Sequence, residues 1–322
     1  MKLSKVGEFG LIKKFLRLSP TSKKVILGIG DDAAAVLPSN KKELLLLTCD
    51  PLIEGIHFDH KATAYQIGWK ALARNLSDIA AMGGVPSYAL VAASLPPKIN
   101  LSKALGIYRG LAAAAKKYRA VIVGGDTSRS LGGIHLTVTV IGEVAKQQLI
   151  TRSGAKPGNV LCVTGSLGAS ILGKHLCFQP RLAEAQFLAK MFRPSAMIDM
   201  SDGLASDLRR LAEQSRVGFE IWGDQLPISH ALRAQKLSRN QEILHAMQDG
   251  EDYELLFTLP PERFKTLRTE WEKRFRLRLT QIGVVHPKRF GIRFIKNKGD
   301  KKTRISPRPA NDHFLPKFSS VK

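Results

Sequence analysis

The sequence predicts an α/β protein made of two α/β domains, and three observations lead there. Short apolar runs of strand length alternate with longer amphipathic stretches of helical period along most of the chain. At 322 residues the chain is long enough for two domains, each with a core of its own. Near its middle, Thr151-Arg152-Ser153-Gly154-Ala155-Lys156-Pro157-Gly158 gathers small residues and turn formers, so a joint is expected there. The expected division is an N-terminal domain of residues 1–148 and a C-terminal domain of residues 149–322.

Taken in order, Val25 to Ile29 and Leu44 to Cys49 read as buried strands. Ala64 to Met82 reads as a helix, with Ile67, Ala71, Leu72, Leu76, Ile79 and Ala80 near one face. It should stop at Gly83-Gly84, where glycine adopts the left-handed cap. Tyr88 to Ala93 is a strand, Leu101 to Tyr118 a helix and Ala120 to Val123 a strand. His135 to Ile141 alternates apolar and polar residues, as a half-exposed strand should. Past the joint, Val160 to Thr164 is a strand, and a glycine-rich turn leads to an apolar helix. Ala196 to Asp199 is a short strand, Leu204 to Glu213 a helix, and Val217 to Trp222 and Leu255 to Leu259 are further strands. The basic tail from Pro287 is expected to be loosely structured until something anchors it.

Composition excludes several classes. With 44% apolar and 24% charged residues the chain is an ordinary globular one, and no apolar run reaches the roughly 18 residues of a spanning helix. Met1 to Phe15 lacks both the apolar centre and the small-residue cleavage site of a signal peptide. Cys49, Cys162 and Cys177 form no CxxC pair, which fits reduced thiols in the cytoplasm and no structural zinc. A formal charge of +23 favours anionic partners: nucleic acid, acidic lipid or phosphorylated small molecules. No helix-turn-helix, zinc-finger or RNA-binding aromatic pattern accompanies it.

Acids are scarce, so their placement is informative. Asp31 and Asp32 follow Gly28-Ile29-Gly30, Asp50 follows a strand, and Asp126 follows Val121-Ile122-Val123-Gly124-Gly125. Asp199 ends another apolar run, Ser201-Asp202-Gly203 opens a helix, and Glu251 and Asp252 follow Gly250. Loops at the carboxyl ends of strands are where α/β folds bind ligands, and repeated carboxylates there suit Mg²⁺, which takes oxygen donors. Each acid also has a plainer reading as a turn former or helix cap. Asp78, four residues after Arg74 in a predicted helix, reads as a surface ion pair, and Asp207 and Asp224 read as surface residues.

Gly168 to Lys174 matches the GxxxxGK part of a phosphate-binding loop, but His175 stands where Ser or Thr is needed, so a glycine-rich turn is preferred. Protein-kinase, HExxH and GxSxG signatures are absent, and the histidines show no ligand spacing. His57, closing the segment from Asp50, reads by composition as a loop or core histidine.

Together the motifs resemble thiamine-monophosphate kinase, of the superfamily that also holds aminoimidazole ribonucleotide synthetase and selenophosphate synthetase. The matching segments are Gly28 to Ala33, Asp50 to Phe58, Asn75 to Gly83 and Gly124 to Thr127 in the first half. Thr151 to Gly158, Ile198 to Leu204, Gly250 to Leu255 and Asp312-His313-Phe314 follow in the second. The resemblance implies phosphorylation of thiamine monophosphate by ATP on a cluster of Mg²⁺ ions. It gives Asp32, Asp50, Asp78, Asp126 and Asp199 as carboxylate ligands, Asp202 as a further one and Thr48 as a hydroxyl or backbone ligand. It overturns the surface-pair reading of Asp78. Gly125, Asp126, Arg152 and Ser201 match ATP contacts, and His57 and Glu251 match contacts to the thiamine phosphate. Cys49 stands at a metal-binding position where the family usually has Thr, and Asn311 at a substrate position where it usually has an aromatic residue. The implied fold pairs the N-terminal half with its twin in a barrel-like homodimer interface, with the C-terminal half packed on it. No membrane contact is implied. A related ATP-dependent enzyme with another acceptor is the nearest alternative. A basic nucleic-acid-binding protein is disfavoured, because its aspartates would repel a phosphate backbone.

Overall fold

The computed structural model describes residues 7–19, 22–39, 42–299 and 304–305. The first half contains α1 (Gly7–Leu18), β1 (Val25–Leu27), β2 (Ala34–Val36), β3 (Glu43–Ile53) and α2 (Ala64–Ala81). It continues with β4 (Val85–Leu95), α3 (Leu101–Tyr118), β5 (Val121–Arg129) and β6 (His135–Ala145). These strands make one six-stranded sheet in the order β1-β2-β3-β6-β4-β5. β3 and β6 pair antiparallel over their whole length, and β4, α3 and β5 form the one parallel crossover unit of this sheet. Residues of β3 and β6 alternate between buried and more exposed, so one face carries the core. The sheet is open, and among the described residues β5 pairs only with β4.

The second half contains β7 (Val160–Thr164), α4 (Lys174–Cys177), α5 (Leu182–Phe187), β8 (Ala196–Asp199), α6 (Leu204–Ser215), β9 (Val217–Trp222) and α7 (His230–Arg233). α8 (Arg239–Gln248), β10 (Leu255–Leu259), α9 (Pro261–Arg274), β11 (Leu279–Pro287), β12 (Ile292–Ile295) and β13 (Arg304–Ile305) complete it. Its seven strands run β13-β12-β9-β11-β7-β10-β8, antiparallel except for β12 beside β9. Two sheets with their helices thus give the α/β class the sequence predicts.

α2 is the structural centre. Thr63 and Gln66 close a capping box at its start, and Gly83, at φ 72°, turns the chain at its end as expected. It crosses α3 at two mutually opposed glycines. A Cβ on Gly68 would fall 1.8 Å from the carbonyl of Ile107, and one on Gly110 would fall 2.0 Å from that of Tyr65. The backbones thus touch where only hydrogen fits, which brings α2 deep enough to be covered on nearly all sides. One continuous apolar core joins Leu72, Leu76 and Ile79 of α2 to Phe257 of β10 and Trp271 of α9. A second core lies within the C-terminal half, around Leu208, Phe219 and Met247.

Three expectations are corrected. Asp50 and Asp126 lie inside β3 and β5, which run past the predicted ends, and not in loops after them. The glycine-rich turn after β7 leads to a 3₁₀ turn and the single-turn α4, and not to a long apolar helix. Backbone N–H groups of Gly168 and Ala169 are tied to the carboxylates of Asp252 and Asp249, which fixes the loop in that form. Residues 288–295 are not loose: β12 pairs with β9, and Phe294 and Ile295 are buried, while most of the tail beyond them lies outside the described residues.

Candidate active site

The site forms where α2, the segment after β1, and the end of β8 meet. α2 contributes Lys70, Arg74, Asn75, Ser77 and Asp78, a polar stripe at helical spacing on a helix whose other faces are apolar and buried. Carboxylate oxygens of Asp32, Asp78 and Asp199 all lie within 4.8 Å of one another. The hydroxyl of Thr48 donates to Asp78, and that of Ser77 donates to Asp199 at 2.6 Å. Asp78 is therefore no surface partner of Arg74. Arg74 turns to the carbonyl of Pro51, 2.7 Å away, and to the Asp50 carboxylate at 3.5 Å.

Electrostatics decide what this cluster needs. Burial, and then the neighbouring charges of Asp50, Asp199 and Asp32, push the carboxyl of Asp78 well above its ordinary value. Burial and Asp32 do the same to Asp199. Two carboxylates about 4.8 Å apart repel by roughly 3.5 kcal/mol at an effective dielectric of 20. Three oxygen donors so arranged fit a hard divalent cation, which would allow all of them to ionise together. Asp32 is also gripped by Arg152, whose Nη2 and Nε donate to its two oxygens at 2.8 and 3.1 Å. The backbone N–H of Arg152 donates to Asp31, whose carboxyl is pushed up to about 7 by burial and by Asp32. Burial works against the charge of Arg152, but Asp32 and Asp31 more than offset it and hold its pKa above the ordinary value.

Asp50 is beside the cluster, its backbone N–H donating to Asn75 Oδ1 at 3.1 Å, and Thr48 and Asp50 share the core-facing side of β3. Cys49 points the other way, its sulfur accepting from Thr139 on the exposed face. Asp202 stands at the opening of α6, ion-paired with Arg210 and outside the three-carboxylate group. The carbonyl of Ser201 accepts from the N–H of Glu251 at 2.7 Å.

Gly125 and Asp126 are not brought to the cluster within one chain. They lie on the edge strand β5, three strands from β3 and about 14 Å across the sheet. Asp126 pairs with Ala92 on the exposed face, and its side chain has no partner among the described residues. Asn311 lies outside the described residues.

His57 is buried, with Nδ1 accepting from the N–H of Ile53 at 3.0 Å. Between His57 and Glu251 lies Lys70, which sequence reasoning missed; its sole signal was a cation at helical spacing from Arg74 and Asp78. Asp207, expected at the surface, is fully buried, where it accepts from the Asp202 N–H and from Arg210. Asp224 is exposed as expected. The phosphate-loop near miss is a turn indeed, its N–H groups occupied by Asp249 and Asp252.

Comparison with known proteins agrees with this arrangement. The N-terminal domain model of the AIR synthase related proteins matches residues 30–144, and the C-terminal domain model matches residues 169–295. The thiamine-monophosphate kinase of Rhodopirellula baltica is 40% identical over 81% of this chain and 84% of its own length. That of Bacillus subtilis is 36% identical over 96% of this chain and 100% of its own. A solved structure described as AaThiL complexed with AMPPCP and TMP superposes with a TM-score of 0.79 at 33% identity, covering 94% of this chain and 98% of that one. The chain belongs to the thiamine-monophosphate kinase family, within the AIR synthase related proteins.

Proposed function

We propose that this chain transfers the γ-phosphoryl group of ATP to the phosphate of thiamine monophosphate, giving thiamine diphosphate and ADP. The observation that carries this reading is the convergence of Asp32, Asp78 and Asp199 from three distant segments, beside the cation Arg152. A relative whose structure holds AMPPCP and TMP supports the choice of reactants. Mg²⁺ bound by these carboxylates would screen two anionic reactants from each other and stabilise charge on the transferring group.

The chain's own residues have separate tasks. Ser77 and Thr48 orient two of the carboxylates, and Asp50, held by Asn75 and Arg74, is assigned to the same cations. Asp202 is assigned to an outer cation, and Cys49 acts through its carbonyl, since its sulfur faces away. Arg152 and Ser201 are assigned to the nucleotide, and His57 and Glu251 to the acceptor. As the acceptor oxygen bonds to the γ-phosphorus, the bond to the bridging oxygen of ADP breaks. No proton needs to move, because a phosphate monoester is already ionised near neutral pH. Neither a nucleophile nor a general base is assigned.

We also assign a homodimer, with residues 1–148 forming the pairing half and residues 149–322 completing each site. The outer face of β4 and β5 exposes Tyr88, Leu90, Val121 and Val123 in one apolar patch next to the unpaired edge of β5. Gly125 and Asp126 border this patch, so their assignment to ATP and metal belongs to the paired molecule. The free cysteines suit the cytoplasm, and no described helix is long and apolar enough to cross a membrane.

The test is direct. Purified protein with ATP, Mg²⁺ and thiamine monophosphate should form thiamine diphosphate and ADP in equal amounts. ATP consumption only with some other phosphorylated acceptor would replace the substrate, and no turnover with any would remove the reading.

A further inference from the structure

Lys70 is a long cationic side chain with no exposed surface at all, an arrangement that is costly unless every proton finds an acceptor. Its Nζ donates to the carbonyl of His57 at 2.7 Å, meets Nδ1 of His175 at 2.8 Å and forms an ion pair with Oε2 of Glu251 at 2.8 Å. These three partners surround an ammonium that has no exposed surface to offer a ligand. They come from separate parts of the fold: the loop after β3, α4, and the segment between α8 and β10. His175 suits its part, because burial and then the Lys70 charge push its pKa down to about 4; the ring is neutral, and its Nδ1 accepts from Lys70 in the tautomer that carries the proton on Nε2. Burial pushes Lys70 itself down to about 8, with the Glu251 charge opposing the fall.

Glu251 has the unusual geometry. Its backbone is left-handed at φ 68°, a form that is strained for a residue other than glycine. Two contacts hold it there: its N–H on the Ser201 carbonyl, and its carboxylate on Lys70. Oε2 is buried against Lys70, while the side chain as a whole keeps 21% of its surface exposed.

We propose that Lys70 is a positioning residue for the acceptor, fixing the His57 loop and the Glu251 carboxylate across the two halves without touching substrate. Glu251, fixed in this way and partly exposed, then offers a set negative charge to a cationic heterocycle, such as the thiazolium of a thiamine phosphate. The inference rests on the function proposed above. Lys70 should thus govern acceptor binding and leave nucleotide binding alone.

The experiment uses Lys70→Met, which keeps the volume and removes the donors, and compares KM for both substrates in the full-length protein. The expected result is a rise of tenfold or more in KM for thiamine monophosphate, with KM for ATP within twofold of the unaltered protein. In the Glu251→Gln background, Lys70→Met should lose most of its effect on the acceptor KM, keeping only the part carried by the His57 loop. An unchanged acceptor KM, an equal rise in both KM values, or the full effect persisting in Glu251→Gln would each overturn the proposal.

If Lys70→Met does not fold, the unaltered protein decides between pH 7 and 9. The charged or titratable residues packed against Lys70 include Glu251, His175, His57 and Arg74. Acceptor KM should climb through about pH 8 while KM for ATP stays level; a level acceptor KM would overturn the proposal. Failure of the unaltered protein to make thiamine diphosphate would count against the proposed function. Normal turnover with an insensitive Lys70→Met would count against this inference alone.

Discussion

Asp78 shows at one residue how function opposes stability. Its carboxyl is buried among Asp32, Asp50 and Asp199, so without a cation it destabilises the fold. Replacing it by Asn should raise the melting temperature of the metal-free protein while lowering turnover at least 100-fold. The Mg²⁺ concentration for half-maximal rate should rise tenfold or more, measured by titrating activity with Mg²⁺. Asp126 predicts differently: exposed and without a side-chain partner among the described residues, its change to Ala should leave melting unaltered and abolish turnover, read by calorimetry beside the kinase assay. Asp252 gives a pH effect of known sign. Burial raises its pKa from 3.8 to about 7, so the folded protein holds a proton that the unfolded chain releases. Its contribution, at most about 4 kcal/mol, is full below about pH 4 and lost as pH rises through 7. Asp252→Asn should therefore flatten the fall in melting temperature between pH 5 and 8 and stabilise the protein at pH 8.

Among the elements, α2 governs the site, because its polar stripe enters the cluster only if the helix lies close against α3. Gly68→Ala tests this with two opposing effects. Helix propensity favours Ala by about 1 kcal/mol. The new methyl group would meet the backbone of Ile107 at 1.8 Å, and backbone cannot move aside cheaply. The clash should win, with a net loss of about 2 kcal/mol or more in chemical denaturation and weaker Mg²⁺ activation. A stable, fully active Gly68→Ala protein would show that the crossing does not set the site. Element type was legible where the local pattern is clean: β7, β8, β9 and β10, nearly continuous apolar runs, and α3, with one apolar face at helical period, are as read. It was not legible for β12, whose Ile-Arg-Phe-Ile run mixes charge with apolar residues and becomes a strand only by pairing with β9.

For the whole molecule, the open edge and outer face of the N-terminal sheet matter most. The outer edge of β5, unpaired among the described residues, together with exposed Tyr88, Leu90, Val121 and Val123, invites association. Val123→Lys should shift the protein towards monomer in sedimentation or light scattering, and turnover should fall with it if Gly125 and Asp126 act across the pair. A monomeric unaltered protein would remove that assignment.

The sequence by itself determined the two α/β halves, most of the strands and the family, because strand burial and motif order are written in local pattern. It also marked Asp32, Asp78 and Asp199 as candidates, through the family motifs that carry them. Only the tertiary structure decided that these three meet, that Asp126 stands on the far edge, that Asp207 is buried and that Lys70 joins His57 to Glu251. Those facts depend on how closely helices and sheets approach, and approach distances arise from packing between segments far apart in the chain.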